Sequence, residues 1–353
     1  MESGGIPGSP KRAGVPRKIL RFMRRAAFVA LAALIVWSTI AFLSFRSAVN
    51  ERNDQLPKNV RAQLAPAGGP ALTTSHVSLL VGADTSAVRR ADGEKGGRAD
   101  SMILMRTDIK SRTVSMLSIP RDLYVPIPGY GEDKINTAYA EGGLPLAIKT
   151  IRQFSGIDIN HVVQIDFDGF KEVVDALGGI EIDNPTQIRG PRSKKYWFDG
   201  GRWFFPKGKQ ILDGKHALAY ARIRYVDKRT IASDPAESTD IGRARRQQRV
   251  IDAIITKIAS KNSVLHPRDV PRAVVQPLQT DVSAAQMLAF GFGKWWSKGD
   301  NNLKCRLSGD SEYRDGEDVL IGNEDNRAVI RMWLGKQSPV PPSTPTSPGC
   351  VRE

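Results

Sequence analysis

Three stretches of this sequence carry most of the residues able to do chemistry. In each, an acid or an arginine falls where a strand or helix should end or begin. The first is GADTSAVRRADGEKGGRADSM (82–102), where Asp84 closes one apolar run and Arg98 and Asp100 open the next. Ligands of open α/β sheets gather at strand ends, so both carboxylates could reach one site. Two carboxylates with phosphate oxygens and water form an ordinary Mg²⁺ environment, although aspartates at strand ends more often serve as turn or cap residues. The second stretch is SIPRDLYVPIPGYGEDKIN (118–136). Arg121 and Asp122 follow Pro120, which must end a strand, and Lys134 and Asn136 follow a Gly-rich turn. An ordinary surface pair is the alternative reading of Arg121 and Asp122. The third is ALAYARIRYVD (217–227) with TDIGRARRQQRVI (239–251). Read as a strand, it would point Arg222 and Arg224 to one face. On a helix, Arg243, Arg246 and Gln247 share a side. Guanidinium forks bind phosphate bidentately, and a helix N-terminus adds positive potential. Arginines at a helix start oppose the macrodipole, and a bound anion would reverse that cost.

The elements that must position these residues are legible in the hydrophobic pattern. HVSLLVGAD, SMILMR and TVSMLSIP read as strands, with TDIKS a tight connection that makes the last two an antiparallel pair. GLPLAIKTIRQF reads as a helix, HVVQID and GIEID as strands. Between those two strands Phe170, Val173, Val174 and Leu177 form a helical stripe, with Asp168 as N-cap and Gly178-Gly179 as the stop. A long helix from about Gly242 to Ser260 carries Ile251, Ile254, Ile255 and Ile258 on one side. SAAQMLAFGFGKWW and NRAVIRMWL read as two further helices, the tryptophans as packing residues. Strands mixed with helices in this order predict a three-layer α/β/α sandwich with a mixed central sheet.

Ahead of that domain, AAFVALAALIVWSTIAFLSF (26–45) has no charge, Pro or Gly. As a helix it would rise about 30 Å, enough to cross the hydrocarbon core. No A-x-A site follows it, so it reads as an uncleaved anchor. Seven Lys or Arg residues between Lys11 and Arg25 against one acid, Glu2, place the N-terminus inside by the positive-inside rule and everything from Arg46 outside. The expected layout is a basic cytoplasmic tail (1–25), the transmembrane helix (26–45), a linker (46–74), one extracytoplasmic domain (75–337) and a disordered Pro/Ser/Thr-rich tail (338–353). The net charge of +15 calls for an anionic partner. The topology excludes nucleic acid and leaves lipid headgroups of the cytoplasmic membrane or phosphate-bearing substrates. Two cysteines without a CxxC exclude a zinc site. Outside the cytosol Cys305 and Cys350 could pair, or both could stay thiols.

At these residues the chain strongly resembles the LytR-CpsA-Psr family. The resemblance runs from about His76 to Ser260 and rests on GAD (82–84), RADSM (98–102), SIPRD (118–122), KINTAY (134–139), DFDGFKEVVDALGGIEI (166–182), LDGKHALAYARIR (212–224) and DIGRARRQQ (240–248), in order. It implies a transferase that moves a glycopolymer from a polyprenyl-pyrophosphate carrier to peptidoglycan. By motif position it implies Asp84 and Asp100 as the acids at Mg²⁺, or at Mn²⁺ in its place. Arg98, Arg121, Arg222, Arg224, Arg243, Gln247 and Lys134 would hold the pyrophosphate. Asp84 or Asp122 would act as general base, with Arg121 beside the reacting phosphate. The lipid tail would lie against helices such as 168–177 and 248–259. Two departures stand out: Ser86 occupies a position where many members carry a basic residue, leaving Arg89 or Arg90 to supply that contact, and 195–205 and 226–239 look long enough to form a variable rim. No sizeable extra C-terminal domain is expected. The rivals are a polyprenyl-pyrophosphate hydrolase using the same site, a non-enzymatic envelope regulator and a phosphate-polymer lectin. A carboxylate pair beside an arginine cradle favours an enzyme over the two binding readings.

Overall fold

The computed structural model describes residues 17–84, 97–191, 193, 202–258, 269–297, 299–314, 316–344 and 347–352. It divides into two units, residues 1–44 and 45–353. The first consists of most of α1 (Arg17–Asp54). Within it, Arg21–Asp54 is long and apolar enough, by length and composition, to cross a membrane.

In chain order the second unit holds the end of α1, α2 (Lys58–Arg61), β1 (His76–Asp84), β2 (Arg98–Asp108), β3 (Thr113–Ile119), β4 (Leu123–Ile127), β5 (Gly131–Lys134), α3 (Ile135–Ser155), β6 (His161–Asp166), α4 (Phe167–Ala176) and β7 (Ile180–Asn184). There follow β8 (Ile188–Arg189), β9 (Phe204–Phe205), β10 (Gly208–Leu212), α5 (Gly214–Arg222), α6 (Lys228–Ser233), α7 (Asp240–Ile258), α8 (Asp269–Val275), β11 (Gln279–Thr280), α9 (Ala284–Trp296), β12 (Leu303–Arg306), β13 (Asp310–Arg314), β14 (Glu317–Ile321), α10 (Glu324–Trp333) and β15 (Gly349–Arg352).

The main sheet has seven strands in the order β11-β6-β1-β2-β3-β12-β15. It is mixed: β1 runs antiparallel to β2 and parallel to β6, and β12 runs parallel to β3. The near-continuous apolar run of β1 follows from its central place, covered on both faces. On one face Leu79, Val81, Leu104 and Leu117 join α3 and α10 in the largest core cluster. On the other, α7 lies over β3, where Gln248 donates to Ser118 Oγ and to the Cys305 carbonyl, both at 2.9 Å. This is the expected three-layer sandwich. The β2–β3 connection is the tight one anticipated from TDIKS, with Arg112 taking a positive φ of 56°. A second sheet, β13-β14-β4-β5, is built onto the end of β3.

Three expectations change. The cap of α4 is Asp166, whose carboxylate accepts from Gly169 N at 2.8 Å, not Asp168. Both aspartates precede the apolar stripe, and only the one with extended backbone can cap. The linker is not free. Leu56 and Val60 are buried in the main core, and Ala65 N donates to Ile159 O at 2.8 Å. The C-terminal tail is not wholly irregular either. Gly349–Arg352 forms β15, an edge strand on β12, and Cys305 and Cys350, direct partners in that ladder, form a disulfide. Proline-rich composition hid a four-residue strand that is held by a covalent link.

Candidate active site

The first acid is placed by a strand end and the second by a bulge. Asp84 is the last residue of β1 and is buried. Gly82 pairs with Ser101 but Ala83 pairs with Ala99, so Asp100 is the extra residue of a β-bulge. Bulges re-aim side chains near active sites, and this one turns Asp100 toward the end of β3. There Pro120 stops the strand and Arg121 follows, its Nη1 2.6 Å from Asp100 Oδ1 and its Nε 3.4 Å from Asp122 Oδ2. The Arg121 carbonyl accepts from Asn136 N, and the Asp122 carbonyl from Leu320 N, so the backbone of the pair is clamped by α3 and β14.

The third stretch reaches the same place by another route than expected. Residues 214–222 are helix, not strand. Asp213 caps it by accepting from His216 N at 2.8 Å, and Ala217 to Ala221 are all buried, so no alternation was available to separate the two periodicities. Alanine's helix preference decides. Arg222 therefore ends α5, and Arg224 lies beyond it. The two still face the acids. Arg222 Nη2 is 3.9 Å from Asp84 Oδ2, and its guanidinium lies 4.0 Å above the Phe167 ring. Arg224 Nη2 is 4.0 Å from Asp122 Oδ2 and 3.6 Å from Asp240 Oδ1.

The start of α7 completes the group. Gly242 lets it come close: a Cβ there would lie 2.5 Å from the Ala236 carbonyl oxygen and 2.6 Å from Glu237 Cα. Arg243 Nη1 is 3.0 Å from Asp240 Oδ1, and Ser101 Oγ donates to Gln247 Oε1 at 3.2 Å. Arg246 shares their side by sequence but is fully buried. It bonds Glu237 and the Ile223 and Tyr220 carbonyls. It is therefore a structural clamp that ties α5 to α7, not a ligand-facing group.

Taken in order, Asp100, Arg121, Asp122, Arg224, Asp240 and Arg243 form a string of alternating charge in which each neighbouring pair is within 4.0 Å. Its electrostatics follow. Burial presses on the Arg121 guanidinium, but Asp122 and Asp100 outweigh it and the pKa rises. Arg243 is pushed down to about 10, chiefly by burial, with Arg224 and Arg121 acting the same way against Asp240. Lys134 and Arg98 stand at the rim. Lys134 bonds Glu317 of β14, and Arg98 is close enough to Glu317 to help hold its carboxyl below the usual range. Sequence reasoning missed Asp240, although DIG sits beside the basic run. Ser86, Arg89 and Arg90 lie outside the described residues, as does most of 195–205. The second rim segment is α6 and a 3-10 turn over Pro235–Ser238.

The chain as a whole, from the end of the apolar span to α10, has counterparts among known proteins. Residues 39–333 fit the LytR-CpsA-Psr family pattern. The chain belongs to that family. It is 38% identical over 262 residues to the polyisoprenyl-teichoic acid–peptidoglycan teichoic acid transferase TagU of Enterococcus faecalis, covering 73% of this chain and 78% of that one. With the enzyme of the same name from Bacillus cereus the figures are 31% over 305 residues, 85% and 87%. A solved structure, TagT bound to LIIa-WTA, superposes with a TM-score of 0.56 at 27% identity, covering 78% of this chain and 96% of that one.

Proposed function

We propose that this family member is a transferase that moves a glycopolymer from a polyprenyl-pyrophosphate carrier onto peptidoglycan, on the outer side of the cytoplasmic membrane. The observation that carries the reading is the interleaved string of three arginines and three aspartates at the strand ends, beside the buried Asp84. A cluster that exposes arginines to a dianionic linkage while holding carboxylates among them suits phosphoryl transfer, where catalysis is mostly positioning and charge neutralisation. It also suits the relatives, whose names describe the same transfer of teichoic acid to peptidoglycan.

In the proposed reaction a peptidoglycan sugar hydroxyl attacks the phosphorus that bears the glycopolymer. A new P–O bond forms to the sugar, the P–O bond to the carrier's phosphate breaks, and polyprenyl phosphate leaves with the bonding pair. The hydroxyl proton passes to a carboxylate. Asp84, buried and with Arg222 3.9 Å away, and Asp122, between Arg121 and Arg224, are the candidates. Arg121, Arg224 and Arg243 would bind the pyrophosphate oxygens from three elements, with Arg222, Gln247, Arg98 and Lys134 around them.

The donor set also fits Mg²⁺, which typically takes one or two carboxylates and completes its shell with phosphate oxygens and water. Asp84 and the bulged Asp100 provide two, and among the described residues there is no larger His, Cys, Asp or Glu cluster that would favour a metal held by protein alone. Bound there, the ion would offset charge on the pyrophosphate.

The deciding experiment incubates full-length protein with a lipid-linked glycopolymer and peptidoglycan fragments, with and without EDTA. Polymer linked to a muropeptide together with released polyprenyl phosphate is expected. Released polymer phosphate without any linked muropeptide would make the protein a hydrolase instead. If residues 46 onward lie outside, as the positive-inside rule would have it for 26–45 and its basic flank, a C-terminal alkaline phosphatase fusion should be active.

A further inference from the structure

The helix that receives the end of the apolar span carries an aromatic face. The inner side of α9 is fixed against the β2–β3 turn at Gly293, where a Cβ would lie 3.0 Å from Thr107 Cγ2 and 3.5 Å from Ile109 Cγ1. Its outer side shows Leu288, Phe292 and Trp295, at i, i+4 and i+7, exposed by 53%, 41% and 68%, with Trp296 at 39% beside them. The rings form one cluster. Phe292 lies 5.7 Å from Trp295 and 5.8 Å from Trp296 between centroids. Single exposed hydrophobes need no explanation, but a contiguous aromatic patch marks an interaction surface. Its rim is cationic. The Arg112 guanidinium lies 4.3 Å over the Trp296 ring, and Lys110 is exposed in the same turn.

The other end of α9 identifies what covers the patch. Val49 of α1 is buried with Val275 and Ala284, and Phe45 and Met287 pack against them. Asn53 Nδ2 reaches the carbonyls of Asp281 and Val282 at 3.3 and 3.2 Å. Phe45 is the last residue of the uncharged run, and Arg46 follows it. The first turns of α9 are therefore pinned to the point where the span would leave the hydrocarbon. Trp295 lies only about 12 Å further along the helix than Met287. Tryptophan and phenylalanine beside arginine and lysine is the composition of membrane interfaces. A second copy of this strongly basic chain would bring cationic rim against cationic rim, whereas an anionic bilayer complements it.

We propose that the face of α9 formed by Leu288, Phe292, Trp295 and Trp296 docks into the interfacial layer of the membrane that holds α1, with Arg112 and Lys110 toward anionic headgroups. The proposal rests on the reading of 26–45 as a membrane span. One consequence concerns the carrier. Asp84 and Arg98 lie at the far end of the β1–β2 ladder, about 30 Å along the strands from the turn flanking Trp296. The carrier would have to follow the domain for that distance to present its pyrophosphate.

The two native cysteines form a disulfide, so single cysteines can be introduced and labelled with an environment-sensitive fluorophore. Full-length protein labelled through Leu34→Cys, Trp295→Cys or Tyr313→Cys is placed in nanodiscs of phosphatidylglycerol and phosphatidylcholine without polyprenyl lipid. Labels at 34 and 295 should be quenched by spin-labelled lipid, and the label at 313 by aqueous iodide alone. In protein labelled through Leu288→Cys, adding Phe292→Glu should cut lipid quenching severalfold. Absence of lipid quenching at 34 would remove the anchor reading itself. Lipid quenching at 34 with only iodide quenching at 295 would overturn the docking surface and leave the anchor intact. Protection of 295 from both quenchers that grows with protein per disc would assign the patch to a second copy. Lipid quenching at 295 that needs added polyprenyl phosphate would make it a carrier contact. Either of those last two results also overturns the proposal.

Discussion

Arg243 and Arg246 stand one turn apart on α7 and should respond in opposite ways to the same substitution. The Arg243 pKa, lowered to about 10 by burial and by neighbouring cations, corresponds to about 3 kcal/mol against the charged form in the folded protein. Arg243→Gln removes that cost, which is already net of the attraction to Asp240. The unliganded variant should match the wild type or exceed it by up to about 3 kcal/mol. Arg246→Gln leaves the fully buried Glu237 with only Arg249 at 3.9 Å, and breaking a buried pair costs about 3–5 kcal/mol. Urea unfolding of full-length protein in micelles measures both. The pH dependence has a defined sign. A depressed basic pKa means the unfolded chain binds more protons once pH passes about 10, so the wild type gains stability as pH rises beyond that point. The advantage of Arg243→Gln is thus complete below about pH 10 and shrinks above it. With a polyprenyl pyrophosphate the order reverses: loss of one charge-assisted contact, about 1.5–3 kcal/mol, weakens binding on the order of ten- to hundredfold. If Arg243→Gln is destabilised as much as Arg246→Gln and binds normally, Arg243 is a structural ion-pair partner and the cradle is misplaced.

Asp100→Asn should abolish EDTA-sensitive turnover and leave circular dichroism unchanged, and retained EDTA-sensitive activity would remove Asp100 from the metal assignment. Asp240→Asn should tighten pyrophosphate binding, measured by calorimetry, because the carboxylate competes with phosphate for Arg224 and Arg243, while lowering the melting temperature of the free protein. Weaker binding would show that Asp240 orients the arginines instead. Reduction, or Cys305→Ser with Cys350→Ser, releases a bridge between residues 45 apart and should cost up to about 4 kcal/mol by loop entropy. Unchanged unfolding in dithiothreitol would contradict that.

The sandwich was legible because buried central strands read as continuous apolar runs and Pro120 punctuates them, whereas the bulge that turns Asp100 was not. The strand-or-helix choice at 214–222 was not either. Ala217 to Ala221 are all buried, and a fully buried segment has no periodic signature. The separation of Arg243 from Arg246 was also hidden. A helical wheel places both on one side, and only the packing of α5 and of Glu237 against α7 turns one inward. From sequence, arginines at a helix start oppose the macrodipole and call for a bound anion. The structure interleaves them with acids, and Asp240 was passed over because an aspartate at a helix start reads as an ordinary first-turn residue.

That interleaving bears on how the site can be both stable and reactive. Three or four arginines gathered at strand ends would repel one another in a partly dry site, yet the fold holds them without a ligand because each has a carboxylate within 4.0 Å. In the proposed mechanism an incoming pyrophosphate would not meet free cations. It exchanges carboxylate contacts for phosphate contacts, so its net gain at each arginine is a difference rather than a full ion pair. Moderate affinity follows, and for a transferase that must release polyprenyl phosphate after each turnover, moderate affinity is useful. The exchange also leaves Asp122 without the arginines that flank it in the free protein. Under the proposed mechanism a carboxylate so released would suit the role of proton acceptor, for which Asp84 is the other candidate. In this reading the charges that pair with one another in the fold would become the acid–base and binding groups of the substrate complex.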